Sequence, residues 1–170
     1  IDGASLTPAG VGEVVPALLV LQAPGVADTY AKLDRVRGAL DTPLRGVLDD
    51  AGYALLHWTD FGEERWLSKR PIAKPEDLPG AKPWEPPDAP VARALHRAAG
   101  AQGVRLPLPQ VLGALRSDRV GAIRATALAA LNLQWHTEIT HVTDRVDAIP
   151  SGATVMREDR LEALPADLRR

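Results

Sequence analysis

Apolar residues recur at three- and four-residue intervals in several segments, the spacing that places them on one face of a helix. The clearest case is Val91, Ala94, Leu95 and Ala98, at i, i+3, i+4 and i+7. An amphipathic pattern over 28–40 is followed by a shorter one over 44–48, and Gly52 is expected to end this second helix. The segments predicted as helices are a short one that begins at Thr7 and Pro8, then 28–40, 44–48, 91–98, 109–116, 126–135 and 161–169.

Short apolar runs bounded by glycine, proline and charged residues separate these helices and are typical of strands. Helices and strands that alternate along a chain indicate an α/β fold. We therefore expect an α/β fold in which 68–123 runs strand, helix, strand, helix, strand, with a mostly parallel sheet. The predicted strands are 1–6, 53–58, 65–68, 81–85, 104–106, 120–123, 140–146 and 153–157.

Composition excludes several classes of protein. The 170 residues are 45% hydrophobic and 25% charged, which suits a globular chain with a core rather than a disordered one. The net charge is −2 and the basic residues are scattered, so we expect no nucleic-acid partner. The longest apolar run, 14–21, contains a proline and is too short to span a bilayer. Cysteine is absent, which excludes disulfides and thiolate metal sites.

The first residues show neither an initiator methionine nor a charged leader, because the chain opens inside an apolar segment. We expect a processed or truncated piece, whose export signal was lost upstream.

Acidic and histidine residues lie close together between His57 and Glu64, but their arrangement fits no metal motif. Strand alternation would not direct His57, Asp60, Glu63 and Glu64 at one point, so we expect no metal and no cofactor. Ser5, His57 and Asp60 supply the residue types of a hydrolase triad. No glycine-framed serine accompanies them, so we expect no catalytic residues and no enzyme.

Several motifs in order along the chain resemble one family, the solute-binding proteins of tripartite ATP-independent periplasmic (TRAP) transporters, the DctP-like family. The passage S-K-R-P-I at 68–72, followed by P-E-D-L-P-G-A-K at 75–82, is similar to the family's "S-x-R-P-I, then P-E-D-L-x-G-x-K". The resemblance continues through L-P-Q-V-L-G-A-L at 108–115, V-G-A at 120–122 and E-A-L-P-A-D-L-R at 162–169. It therefore covers nearly the whole chain.

This resemblance implies a type II-like periplasmic solute-binding fold, with two α/β lobes around a cleft that closes by hinge motion. It implies a fragment that lacks the family's first β-α-β unit and last helices. We expect 1–62 in the first lobe, 63–124 mainly in the second lobe with lobe-bridging strands, and 125–170 as hinge helix and return strands.

The same resemblance implies a periplasmic receptor that delivers a small organic ligand to the membrane subunits of a TRAP transporter, without itself spanning the membrane. A ligand-sensing domain of the same fold that signals to a partner protein is the alternative. A hydrolase is a third and weaker hypothesis.

The chain departs from the family at its ligand-binding arginines. The arginine that clamps a substrate carboxylate in relatives corresponds to Trp84. A second family arginine falls at or beside Glu64, where only Arg65 is available, and the family asparagine corresponds to Ala125, next to Arg124. Dicarboxylates should therefore bind poorly, while Arg65 and Arg124 remain able to hold one carboxylate.

Two aromatic passages resemble a subset of the family that carries "W-x-W-E-G-D-P" in place of the arginine strand. They are W-E-P-P-D at 84–88 and L-Q-W-H-T at 133–137. An indole supplies apolar area and one N–H donor, so we expect an aromatic-lined pocket for a less acidic solute; packing in the core is the alternative for both tryptophans. A helix that starts after a strand at Thr7 can hold a polar solute or be an ordinary cap. The predicted ligand-binding residues are Thr7, Arg65, Trp84, Arg124 and Trp135.

Overall fold

The computed structural model of the chain describes residues 2–165, 167 and 168, and the chain divides into two compact units. The first unit comprises the chain up to Phe61 and again from Ile149 onward, and the second runs from Gly62 to Ala148. Helices and strands are mixed in both units, which confirms the predicted α/β class. Among the described residues, no helix is long and apolar enough to cross a membrane.

Helices and strands follow one another in the following order along the chain. They are β1 (Gly3–Leu6), α1 (Pro8–Val14), α2 (Tyr30–Asp50), β2 (Tyr53–Asp60), β3 (Glu64–Ser68), β4 (Trp84–Glu85), α3 (Pro90–Ala98), β5 (Val104–Arg105), α4 (Val111–Arg116), β6 (Ala122–Thr126), α5 (Ala127–Asn132), β7 (His141–Val142), β8 (Ser151–Arg157) and α6 (Glu158–Glu162), with short 3₁₀ turns at Pro16–Gln22, Pro75–Asp77, Leu108–Gln110 and Trp135–Glu138.

The two helices predicted over 28–40 and 44–48 are a single helix, α2, and the prediction of a break was wrong. Pro43 lies inside α2 and removes one backbone donor. The helix nevertheless continues because Leu44 and Leu48 follow Leu40 at four-residue intervals and pack on the same core. Gly52 ends the helix as predicted, with φ of +80°.

Several predicted elements differ from the structure in extent, and three of them differ most. The strand predicted over 140–146 is reduced to β7, and the one over 81–85 to β4, since Pro83 has no N–H to donate to a ladder. The helix predicted over 161–169 lies earlier, as α6; part of that prediction falls on Ala166 and Arg169, outside the described residues.

In the first unit, β8 forms the centre of an antiparallel sheet with the order β1-β8-β2. Its residues Ala153 and Val155 are buried and pack with the apolar sides of α1 and α2. Gly152 is required in this strand, because a Cβ there would overlap the carbonyl oxygen of Leu6. The core of this unit consists of Val11, Val15, Leu18, Leu21, Leu44, Leu48, Leu55, Ala153 and Val155.

In the second unit, the segment from β4 to β6 runs strand, helix, strand, helix, strand, as predicted. The pairing is mixed rather than mostly parallel: β4 and β5 are parallel, and Pro83 bridges Ala122 in parallel, but β3 pairs antiparallel with both β6 and β7. The alternation of apolar residues determines which face each side chain takes and carries no information about the direction of the neighbouring strand. The predicted sheet direction was therefore wrong for β3.

Both faces of the β3–β6 pair are covered, and the two faces carry different residues. Leu67 and Ile123 face an apolar cluster that includes residues of α4 and α5. Trp66 faces the other side, with Ala122 and Ile72. Since side chains alternate along a strand, Glu64 and Arg124 lie on the Trp66 side.

Candidate functional site

Arg124, in the middle of β6, lies between two acidic side chains of the second unit. Its Nε is 2.7 Å from Oε2 of Glu64, and its Nη1 is 3.6 Å from Oδ2 of Asp147. Only 13% of the Arg124 side chain and 16% of each acidic side chain is exposed. These three residues, the Arg124 cluster, interact in a low-dielectric environment where charges act more strongly than at a surface.

Strand register brings the cluster together. Trp66 is the partner of Arg124 across β3 and β6, so Glu64, two residues before Trp66, is the diagonal neighbour of Arg124. Asp147 reaches the same point because its backbone N–H donates to the Glu64 carbonyl at 2.8 Å. The cluster thus depends on three segments that are distant in sequence.

The charges in the cluster are not balanced, since two carboxylates share one guanidinium. Burial is the largest effect on Glu64 and raises the pKa of its carboxyl above the ordinary value of 4.5. Arg124 acts in the opposite direction, and the neighbouring Asp147 carboxylate raises that pKa further. Folding therefore shifts the equilibrium of the Glu64 carboxyl toward its protonated form.

The ion pairs in the cluster are imperfect, and the contact between Arg124 and Asp147 is too long for a hydrogen bond. Within the described part of the chain, Oε2 of Glu64, Nη1 of Arg124 and Oδ2 of Asp147 are buried and lack a partner in good hydrogen-bond geometry. Buried polar atoms in native proteins nearly always have such a partner, and exceptions concentrate at strained or functional positions. We therefore take the Arg124 cluster as the centre of the candidate site.

A second buried polar group lies on the same side of β3. Glu85 accepts a hydrogen bond from Nε of Arg93 at 3.1 Å, and its other oxygen is 3.5 Å from Nδ1 of His96. The His96 ring packs against Trp66, with 6.0 Å between the ring centroids. Burial lowers the pKa of His96 below its ordinary 6.5; Glu85 opposes this shift, and Arg124 adds to it. Arg124 and His96 thus influence each other electrostatically.

Two predicted site residues, Trp84 and Trp135, are in direct contact. Their rings meet edge to face at 68°, with centroids 5.4 Å apart. Nε1 of Trp84 donates to the Leu106 carbonyl at 2.8 Å, so the N–H that was expected to serve a ligand is engaged within the protein. Trp135 is 3% exposed and both rings pack with Leu67, on the face of the sheet opposite Arg124. The pair therefore contributes to the core of the second unit.

The other two predicted residues, Arg65 and Thr7, have their own partners within the protein. Arg65 donates to the carbonyls of Thr143, at 3.0 Å, and Asp144, and pairs with Glu63 at 2.7 Å. Thr7 lies in the first unit, where its Oγ1 caps α1 by accepting from an N–H group at 3.3 Å. Helix capping accounts for the position of Thr7.

Sequence reasoning missed the importance of Glu64 and Asp147. Glu64 was considered as a position where relatives carry an arginine and as a member of a metal cluster that was rejected, and Asp147 carried no signal. Asp147 becomes relevant through the bridge between Glu64 and Ala148, which joins two segments distant in sequence. A single sequence gives no indication of such a pairing.

The acidic and histidine residues between 57 and 64 each have a separate partner. His57 is 3.1 Å from Oγ1 of Thr154, which in turn donates to Oγ of Ser5. Thr154 therefore lies between the serine and the histidine of the hypothetical triad. Asp60 pairs with Arg37. No group of three or more metal-binding side chains converges within the part of the chain that the structure describes.

Comparison with known proteins gives a consistent family. The family model for bacterial extracellular solute-binding proteins, family 7, matches residues 1–170. A solute-binding protein of Sulfitobacter sp. (strain NAS-14.1) is 23% identical over 174 residues, which cover 99% of this chain and 52% of that protein. The chain thus spans about half the length of this curated relative.

Solved structures share the fold. A solute receptor of Bordetella pertussis that binds pyroglutamic acid has a TM-score of 0.85 at 18% identity, over 99% of this chain and 56% of its own. A TRAP solute-binding protein of Sulfitobacter sp. NAS-14.1 with bound β-D-galacturonate has a TM-score of 0.85 at 16% identity, over 99% and 57%. One of Desulfovibrio salexigens with bound orotic acid has a TM-score of 0.83 at 17% identity, over 99% and 55%.

Proposed function

The chain belongs to the bacterial extracellular solute-binding proteins of family 7, and on that premise we propose that it is the ligand-binding part of a receptor outside the cytoplasm. The receptor captures a small organic molecule and delivers it to the membrane subunits of a TRAP transporter. The family is one of binding proteins, and we expect no catalysis. The match over the whole chain supports the receptor assignment.

We propose a solute that carries one carboxylate or is amphipathic. The three relatives described above bind pyroglutamic acid, β-D-galacturonate and orotic acid, and each of these ligands is a ring with a single carboxylate. An arginine is well suited to this chemistry, because its planar guanidinium offers paired donors to a carboxylate.

The observation that carries this proposal is the incomplete hydrogen bonding of Arg124. Its guanidinium is mostly buried, yet Nη1 makes no hydrogen bond to any described residue and the ion-pair contact with Asp147 is long. A ligand carboxylate would supply aligned acceptors and displace a weaker internal contact. The proposed site is therefore centred on Arg124 in the second unit, and Arg65, Trp84, Trp135 and Thr7 stay predictions as ligand-binding residues.

The acidic pair in the Arg124 cluster also determines which anions the site accepts. Asp147, and Glu64 in its ionised form, place negative charge beside Arg124, so a second ligand carboxylate would face like charges there. We therefore expect succinate to bind at least tenfold more weakly than a matched monocarboxylate, on the order of 1.4 kcal/mol.

A thermal-shift screen of the full-length protein against monocarboxylates, dicarboxylates and aromatics tests the proposal, because ligands that bind the folded state raise its Tm. The best monocarboxylate is then titrated by calorimetry against Arg124→Gln and Arg116→Gln. Arg116 is the matched control, since it also pairs with a glutamate but is 59% exposed. We expect a loss of tenfold or more in affinity for the first variant only. Equal affinity in both would remove Arg124 from the pocket, and an absence of any stabilising organic ligand would contradict the receptor assignment.

A further inference from the structure

The chain passes between the two units twice, and the two crossing segments, 60–64 and 147–151, are paired. The N–H of Phe61 donates to the Pro150 carbonyl at 3.0 Å. The N–H of Glu64 donates to the Ala148 carbonyl at 2.8 Å, and that of Asp147 donates to the Glu64 carbonyl at 2.8 Å. Two-stranded ribbons are marginally stable by themselves, so side-chain contacts determine how firmly such a pair is held.

In the first unit, Arg37 of α2 joins the two crossing segments. Its guanidinium pairs with Asp60, the last residue of β2, and donates from Nη2 to Oγ of Ser151 at 2.7 Å. Asp60 and Ser151 are partners in the β2–β8 ladder, so one arginine holds both strands where the chain leaves the unit and returns. Arg37 also lies 5.7 Å from the ring centroid of Trp58, which limits its motion.

In the second unit, Arg124 of β6 occupies the equivalent place. It contacts Glu64 at 2.7 Å and Asp147 at 3.6 Å, and these two residues lie on the outgoing and the returning segment. Both arginines therefore bridge the same two segments, each from within its own unit. Gly62 lies in the outgoing segment between Asp60 and Glu64, and its φ of +92° is a conformation that favours glycine.

We propose that Arg37 and Arg124 are a pair of clamps that hold the crossing segments side by side, one clamp in each unit. A guanidinium suits this role because its rigid fork binds two acceptors at once, which a single ammonium group does not reproduce. The two segments then respond as a pair, so that a change in one is transmitted to the other. This inference does not depend on any ligand.

Hydrogen exchange of backbone amides, measured by NMR on the full-length protein without ligand, tests the clamps. In Arg37→Gln, we expect the Phe61 amide to lose at least tenfold in protection, while the Glu64 amide is unchanged. Arg45→Gln is the matched control, because Arg45 lies on the same helix and reaches β2 at the Leu55 carbonyl without touching the returning segment. The control should leave Phe61 protected.

The second clamp has its own readout. In Arg124→Gln, we expect the amides of Glu64 and Asp147 to lose at least tenfold in protection, while Phe61 is unchanged; Arg116→Gln is the control. Protection is compared with the Leu115 amide of α4, so that a general loss of stability is recognised. Unchanged protection, or a loss no larger than that of the reference amide, would overturn the proposal. Because no ligand is present, a failure here leaves the receptor assignment untouched.

Discussion

Trp84 distinguishes most directly between a tryptophan of the core and one that serves a ligand. The substitution Trp84→Phe keeps an aromatic ring against Trp135 but removes the donor of the 2.8 Å hydrogen bond to Leu106. That bond contributes about 0.5–1.5 kcal/mol, and a buried carbonyl left without a partner costs about 1–3 kcal/mol. Because the carbonyl is left unpaired, the larger value applies, and we expect the free energy of unfolding to fall by about 1–3 kcal/mol, measured by urea denaturation followed by circular dichroism.

The contact with Trp135 adds a second, independent measurement. Trp135→Ala removes a ring that is 3% exposed, for which about 3–5 kcal/mol is expected. Combined with Trp84→Ala in a double-mutant cycle, the edge-to-face geometry predicts a coupling of about 0.5–1.5 kcal/mol. Leu131→Ala, on the exposed side of α5, serves as control and should change stability by less than about 0.5 kcal/mol.

The opposite pattern would refute this reasoning. If Trp84→Phe left the free energy of unfolding within about 0.5 kcal/mol of the parent but weakened ligand binding tenfold or more, the indole N–H would face the solute. The aromatic-lined pocket expected from the sequence would then hold in its full form, with Trp84 as a donor.

Three further predictions concern stability. Because the pKa of Glu64 is raised on folding, its contribution to the free energy of unfolding is largest below its ordinary 4.5 and is lost as pH rises through the folded pKa. Glu64→Gln should therefore become more stable relative to the parent between pH 4 and 8, measured by denaturant titrations. The pKa of His96 is lowered on folding, so stability present above pH 6.5 is lost as pH falls through the lower folded pKa. His96→Gln should reduce this acid sensitivity. A pH dependence of unfolding that is unchanged in the variant would contradict the assignment. Gly152→Ala should lower the Tm strongly, because the added Cβ would overlap the carbonyl oxygen of Leu6. Gly38→Ala in α2 should stabilise the protein by about 0.8–1 kcal/mol, because no described atom lies within 4 Å of the position of its Cβ and alanine favours a helix. A similar Tm for both variants would contradict this prediction.

Local patterns predicted the elements whose signals lie within a few residues. The four apolar positions from Val91 to Ala98 fall in α3, and Gly52 stops α2 with a positive φ. The break predicted between 40 and 44 was wrong, because apolar residues spaced by four continue the helix across Pro43. Helix boundaries were thus predictable except where packing outweighed a single residue.

The candidate site was only partly accessible to the same reasoning. Arg124 was identified from its position beside a family motif, and Trp84 and Trp135 from aromatic passages. Their surroundings were not predictable: Trp84 donates within the protein, and Arg124 is shared by Glu64 and Asp147. A residue type indicates which bonds a side chain is able to make, but its neighbours determine which bonds it makes.

The sequence by itself determined the α/β class, the order of elements and the family, because these depend on short-range spacing and on motifs. Tertiary structure alone decided the direction of β3, the opposite faces taken by Trp84 and Arg124, and the pairing of the two crossing segments. Side-chain alternation assigns a residue to a face but names no partner strand. The partner strand is the one with which a segment buries apolar area and satisfies its backbone hydrogen bonds, and it can be distant in sequence. Arg124 contacts Glu64 and Asp147 only because these segments pair in the folded chain.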